Sequence, residues 1–210
     1  MTDIVPIPLD EILKLQPAVS IGAKVVGAVA KRVPAVRRRQ AELFIEMLID
    51  LLGQDGKDLA TRIENDPRVA RIVWDGISAS AQAELEDHVR GLARVASAGI
   101  RDTALLDQAQ YMLGLVAQLA ALHVQLLTLL EEAFQEDPKQ YPQSAQLLGT
   151  SEGVGFGLNA ELLRLGLVEA GGISFRGLHP QVRIADLGRE VLRALQDSDW
   201  VAEFGGGEND

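Results

Sequence analysis

Few residues in this 210-residue chain have a type and spacing suited to chemistry. Cysteine is absent, which removes thiolate nucleophiles, thiolate metal sites and disulfides. The three histidines, His88, His123 and His179, are scattered. Glu84 and His88 have the i, i+4 spacing of a helical ligand pair, with Asp87 beside them. No second histidine is near in sequence, so the cluster reads as a solvated polar face. His123 falls in an uncharged helix and reads as a core histidine with its hydrogen bonds satisfied. Gly153-Val154-Gly155-Phe156-Gly157 looks like a phosphate loop only in its glycines. No Lys-Ser or Lys-Thr follows and no βαβ strand precedes, so a flexible turn is expected. These residues assemble no nucleophile, base or metal set. The expectation is a non-enzymatic protein without catalytic residues, metal or cofactor.

Charge is more informative. The net charge is −10, unevenly spread. Between Ser20 and Arg39 stand six bases (Lys24, Lys31, Arg32, Arg37, Arg38, Arg39) and no acid. Between Gln40 and Gln135 there are seven bases and fifteen acids, and the stretch from Ser198 has four acids and no base. An acidic body with one basic arm results. The arm has three readings: a solvated helix packed on the body by Ile21, Val25 and Val29, a phosphate-binding element, or a basic amphipathic helix on an anionic membrane. Arg37 to Arg39 point in different directions around a helix and do not form one tight patch.

The elements that would position these residues are mainly helical. Apolar residues make up 47% of the chain and aromatic residues 4%, a composition for Leu/Val/Ile/Ala helix packing. Residues 1–19, with Pro6, Pro8 and Pro17, read as an irregular lead-in. Residues 20–137 read as a helical body that begins with the basic helix. Within it, Leu43 to Leu52 forms an apolar stripe stopped by Gly53, Lys57 to Glu64 is a short helix, and Asp66-Pro67 is an N-cap with proline at the first helical position. Gly76 with Ser78-Ala79-Ser80 is expected to break that last helix, and the next should run from about Leu85 to Gly99. No charge occurs between Asp107 and Glu131, a span long enough for a bilayer. Gln110, Gly114, Gln118, Ala121, Gln125 and Thr128 nevertheless make a polar-or-small stripe, which predicts a buried helix, or two helices broken near Ala120 to Leu122. Residues 1–8 lack a basic stretch followed by an apolar run, so a secretory signal is not expected, and a cytoplasmic location fits.

After the linker around Pro138 and Pro142 the rhythm changes. Residues 143–197 read as helix (Ser144 to Leu148), turn (Gly149 to Gly157), helix (Leu158 to Leu165) capped by Gly166, strand (Leu167 to Ala170), a loop opened by Gly171-Gly172 and holding His179, strand (Gln181 to Ala185), and a helix capped by Asp186. Residues 198–210 read as a disordered acidic tail. That order is the order of a winged helix with a short two-stranded wing. Leu162-Leu163-Arg164-Leu165-Gly166-Leu167-Val168 resembles the end of a recognition helix running into a wing. Arg183-Ile184-Ala185-Asp186-Leu187-Gly188-Arg189-Glu190-Val191-Leu192 resembles the entry to the closing helix in many bacterial winged-helix proteins. The overall arrangement is similar to bacterial and phage proteins of the abortive-infection alpha type, a resemblance that implies phage-linked biology and carries over no catalytic residues.

The resemblance to winged helices implies DNA binding and transcription regulation. Asn159 and Arg164 would read base edges, and Arg176 and Arg183 would meet phosphates. Residues 144–197 hold five bases and six acids, so the module is net −1. Two partner classes therefore stay open: DNA, with the basic arm or a homodimer supplying charge, or a protein, with the arm on a membrane surface or partner.

Overall fold

The computed structural model describes residues 35–53, 56–139, 141–173, 180–196 and 200. Lys24, Lys31, Arg32, Arg176, His179 and the proposed 1–19 lead-in lie outside them, as does most of the proposed acidic tail. The described chain is mainly helical with one small antiparallel sheet near its C-terminal end. It divides into two compact units, one ending at Leu113 and one spanning Gly114–Glu203. That division falls inside a helix, well before the Pro138–Pro142 linker at which the sequence suggests a boundary.

In the first unit, α1 (Ala35–Leu52), α2 (Gly56–Asn65), α3 (Pro67–Ser80) and α4 (Glu86–Arg101) follow one another, then a 3-10 turn (Thr103–Leu105) leads into α5 (Leu106–Val116). α1 buries Ala41, Phe44, Ile45, Leu48 and Leu52. Gly53 ends the helix at φ +61°, a conformation glycine adopts without steric cost. Asp66 caps α3 as its sequence predicts, its side chain accepting from the Arg68 N–H with Pro67 in the first turn. Gly76 does not break α3. A Cβ there would lie 2.2 Å from Cζ of the fully buried Phe44, so the glycine seats that ring, and the helix runs to Ser80.

α4 also departs from expectation. Leu85 precedes it and is exposed, and Gly99 lies inside it, where a Cβ would meet Ala109 at 2.6 Å. Every residue from Gly91 to Ile100 is buried. The small residues Gly91, Ala93, Ala96, Ser97 and Ala98 let α1 and α3 pack closely on it. Glu84 and Asp87 are exposed as expected, but His88 is 7% exposed and leaves that solvated face: Glu84 precedes the helix, and the imidazole turns inward.

The uncharged stretch is two helices, α5 and α6 (Ala121–Glu136), interrupted at 117–120. Among the described residues no single helix is long and apolar enough to cross a membrane. α6 groups with the second unit. It buries His123, Leu126, Leu127 and Leu130, one face at i, i+3, i+4, i+7, and packs against the elements that follow. These are α7 (Ser144–Leu148), α8 (Glu152–Arg164), β1 (Val168–Ile173), β2 (Pro180–Ile184) and α9 (Asp186–Gln196).

Gly166 closes α8 at φ +72°, with the Leu167 N–H donating to the Leu162 carbonyl at 2.9 Å and the Gly166 N–H to the Leu163 carbonyl at 3.0 Å, a Schellman cap. β1 pairs antiparallel with β2, Val168 opposite Ile184 and Glu169 opposite Arg183. Gly171-Gly172, read from sequence as the start of a loop, belongs to β1. A Cβ on Gly171 would sit 1.9 Å from Cδ1 of Tyr141, so the missing side chain makes room for that ring. α9 buries Val191, Leu192, Ala194 and Leu195, and its Gly188 sits where a Cβ would strike the Leu167 carbonyl at 2.1 Å. Trp200, assigned from sequence to the disordered tail, is 1% exposed, and its indole N–H donates to Glu190 at 3.3 Å.

Candidate functional site

Asn159 and Arg164, the residues expected to read base edges, both lie on α8, where local packing decides their roles. α7 ends at Gly149, in the left-handed region at φ +61°, and the Thr150 N–H donates to the Ala145 carbonyl at 3.0 Å. The chain then re-enters helix at Glu152, so Gly153 to Gly157 form the first turns of α8 and not a flexible turn. Gly155 is the reason the two helices meet: a Cβ there would lie 2.7 Å from the Ala145 backbone nitrogen. The buried face of α8 continues through Asn159 and Leu162.

Asn159 is therefore a core residue. It is 2% exposed, and Oδ1 accepts a hydrogen bond from the hydroxyl of Ser144, also 2% exposed. It does not face outward where a base edge would lie. The signal was present in the sequence: Gly155, Asn159 and Leu162 recur at the spacing of one helix face once the helix is begun at Glu152.

The opposite face of α8 is exposed from Glu152 through Arg164. Phe156 is 54% exposed and Val154 42%, large values for apolar side chains on one short helix. A Cβ added at Gly153 or Gly157 would meet nothing within 4 Å. The charged residues of α8 are Glu152, Glu161 and Arg164. Arg164 is exposed and donates to Gln118 Oε1 at 3.2 Å. Glu161 Oε2 lies 2.7 Å from Nε2 of His123, which is 5% exposed. The His123 Nδ1 accepts the Ala120 N–H at 2.9 Å and caps α6. One histidine thus caps the start of α6 through Nδ1 and brings its Nε2 close to a carboxylate of α8, without hydrogen-bond geometry there.

In the wing, Arg183 is held by its neighbours. Its Nη2 donates to Glu169 Oε2 at 2.7 Å, its Nε to the same oxygen at 3.0 Å, and its Nη1 to the Pro138 carbonyl at 3.2 Å. The guanidinium lies 5.1 Å from the Tyr141 ring centroid. The bond to Glu169 raises its pKa above the ordinary arginine value, so the charge is permanent but already partnered. Of the basic arm, Arg37, Arg38 and Arg39 fall in the first turns of α1, with Arg38 half-buried and Arg39 exposed.

A groove of about 770 Å³ lies between α6 and α9, lined by Glu131, Asp186 and Glu190 against Arg189 and Arg193. Its charges are mixed, and Arg189 is committed to Asp186 and to the Phe134 ring, 4.6 Å from the centroid. Among the described residues no group of three or more His, Asp or Glu could hold a metal ion. No family model, curated protein or solved structure matches the chain.

Proposed function

We propose that the second unit is a winged-helix module that docks onto protein through the outer face of α8. The order helix, helix, helix, strand, strand, helix from α6 to α9 supports the winged-helix part. So does the isolated antiparallel bridge between Gln143 and Gln181, which ties the segment just ahead of α7 to β2. On this reading α6 is the first helix of the module.

The observation that carries the protein-docking part is the composition of the would-be reading helix. Its one amide, Asn159, is spent on Ser144 in the core, while Phe156 and Val154 stand in solvent. A DNA-reading helix needs polar side chains at base edges and an excess of cations at phosphates. α8 offers one arginine against two glutamates, and Arg183 is paired with Glu169. Exposed aromatic and aliphatic groups among small residues instead suit a protein contact.

The test is a fluorescence-anisotropy titration of labelled duplex DNA with the full chain at about 50 mM salt, where phosphate contacts are strongest. No saturable binding is expected. Saturable binding that Arg164→Ala weakens would overturn the proposal in favour of the DNA-regulator reading.

A further inference from the structure

We infer that His123 is a proton-operated switch: neutral, it caps α6, and charged, it lets go of the cap and holds Glu161 on α8. The observation is that the two nitrogens of one buried ring face opposite demands. Nδ1 accepts the Ala120 N–H at 2.9 Å. Nε2 is buried, lies 2.7 Å from Glu161 Oε2 and makes no hydrogen bond there. An imidazolium carries a proton on both nitrogens and accepts nothing. A proton taken up from solvent therefore ends the bond from Ala120 and sets a positive charge against the Glu161 carboxylate. A small turn of the ring then makes a charge-assisted bond to that carboxylate.

The start of α6 has no second cap. Its N-cap residue is Ala120, which has no side-chain acceptor, and its first turn holds no acid. A cation so near the helix N-terminus also opposes the positive pole of the helix dipole. Charging His123 therefore loosens the first turn, Ala121 to Val124, while the N–H of the exposed Ala120 passes to water. Among the described residues, the other charged groups on elements packed against α6 are engaged elsewhere. α7 has none, and Arg183 on β2 is taken up by Glu169. Asp186, Arg189, Glu190 and Arg193 of α9 gather with Glu131 at the groove, about two turns along α6 from His123. On α8, Arg164 donates to Gln118, which leaves Glu161 to face the ring. The switch does not depend on what α8 docks. The Glu161 side chain stands 61% exposed on the outer face, so charging His123 compensates that acid from behind, whatever meets the face.

Nuclear magnetic resonance of the isotope-labelled full chain tests this, following the Ala120 amide and the imidazole signals from about pH 8 to about pH 5, the range in which histidines change charge. The His123 ring signals are those that His123→Gln removes, which separates them from His88 and His179. As the His123 ring titrates, the Ala120 amide proton should move upfield in the same step, because it loses its acceptor. Glu161→Gln, at an exposed position, should move that step to lower pH, because the charged ring loses its counterion. His123→Gln supplies an acceptor that does not titrate, since a glutamine at the third helical position reaches back to the N-cap N–H. Its Ala120 amide should stay in place across the range. A His123 ring that takes up no proton by the end of the range, an Ala120 amide that ignores the titration of the ring, or a step unmoved by Glu161→Gln would each overturn the inference.

Discussion

Ser144 and Asn159 face one another across the turn between α7 and α8, the serine hydroxyl donating to the Asn159 carbonyl oxygen with both side chains 2% exposed. The pair ties the two helices at the level where Gly155 brings them into backbone contact. Replacing one partner strands the other in the core, which costs about 1–3 kcal/mol. Asn159→Leu should destabilise the chain by that amount in urea unfolding. The double variant Ser144→Ala with Asn159→Leu should recover a large part of the loss. A base-reading role predicts no stability change for either.

The wing has a similar lock. Gly171 makes way for the Tyr141 ring, which in turn lies beneath Arg183. Gly171→Val should cost about 1–3 kcal/mol by displacing the ring. Adding Tyr141→Ala should relieve the clash, which a thermal-melt comparison of the three variants would show. If Gly171→Val alone is neutral, the ring is not held where the structure places it.

Helical glycines separate into two kinds. Gly76 seats Phe44 and admits no Cβ, whereas Gly157 faces open space. Gly76→Ala should destabilise by about 1–3 kcal/mol through overpacking. Gly157→Ala should stabilise by about 0.5–1 kcal/mol, because alanine replaces glycine in a helix without a clash. Unfolding midpoints of opposite sign check this.

Asp66 supplies a pH dependence. Arg68 holds its carboxyl below the ordinary range, first through the side-chain hydrogen bond and then through the backbone N–H. A depressed folded pKa contributes stability above the unfolded value of about 3.9 and loses it as pH falls through the folded value. Asp66→Asn keeps a capping oxygen without the charge. It should flatten the fall in melting temperature between about pH 4 and pH 2 relative to wild type. An unchanged acid profile would remove Asp66 from the account.

The physics also explains what could be read ahead. Asp66-Pro67, Gly53 and Gly166 act through the local backbone, and each terminates or starts a helix as its type dictates. Two short strands were legible, the second from its alternation. Gly76, Gly99, Gly155 and Gly171 were not, since each answers to a neighbour distant in sequence: Phe44, Ala109, Ala145 and Tyr141. Tertiary contact there overrides the tendency of glycine to break helices and open loops. Asn159 was misplaced for the same reason. With Gly153 to Gly157 taken as a turn, the helix started too late to reveal Asn159 on the buried face.

Trp200 extends that lesson to the C-terminal end. An acidic, glycine-rich stretch surrounds it, yet the indole is 1% exposed and its N–H donates to Glu190 on α9. Trp200→Ala should cost about 3–5 kcal/mol, the range for emptying a large aromatic from a core. Trp200→Phe should cost less, losing the hydrogen bond while keeping most of the apolar burial. Because the chain has two tryptophans, Trp74→Phe isolates the signal. The remaining emission should be blue-shifted in the folded chain and move to the red on unfolding. A solvent-exposed emission maximum before unfolding would mean that Trp200 does not close the core behind α9.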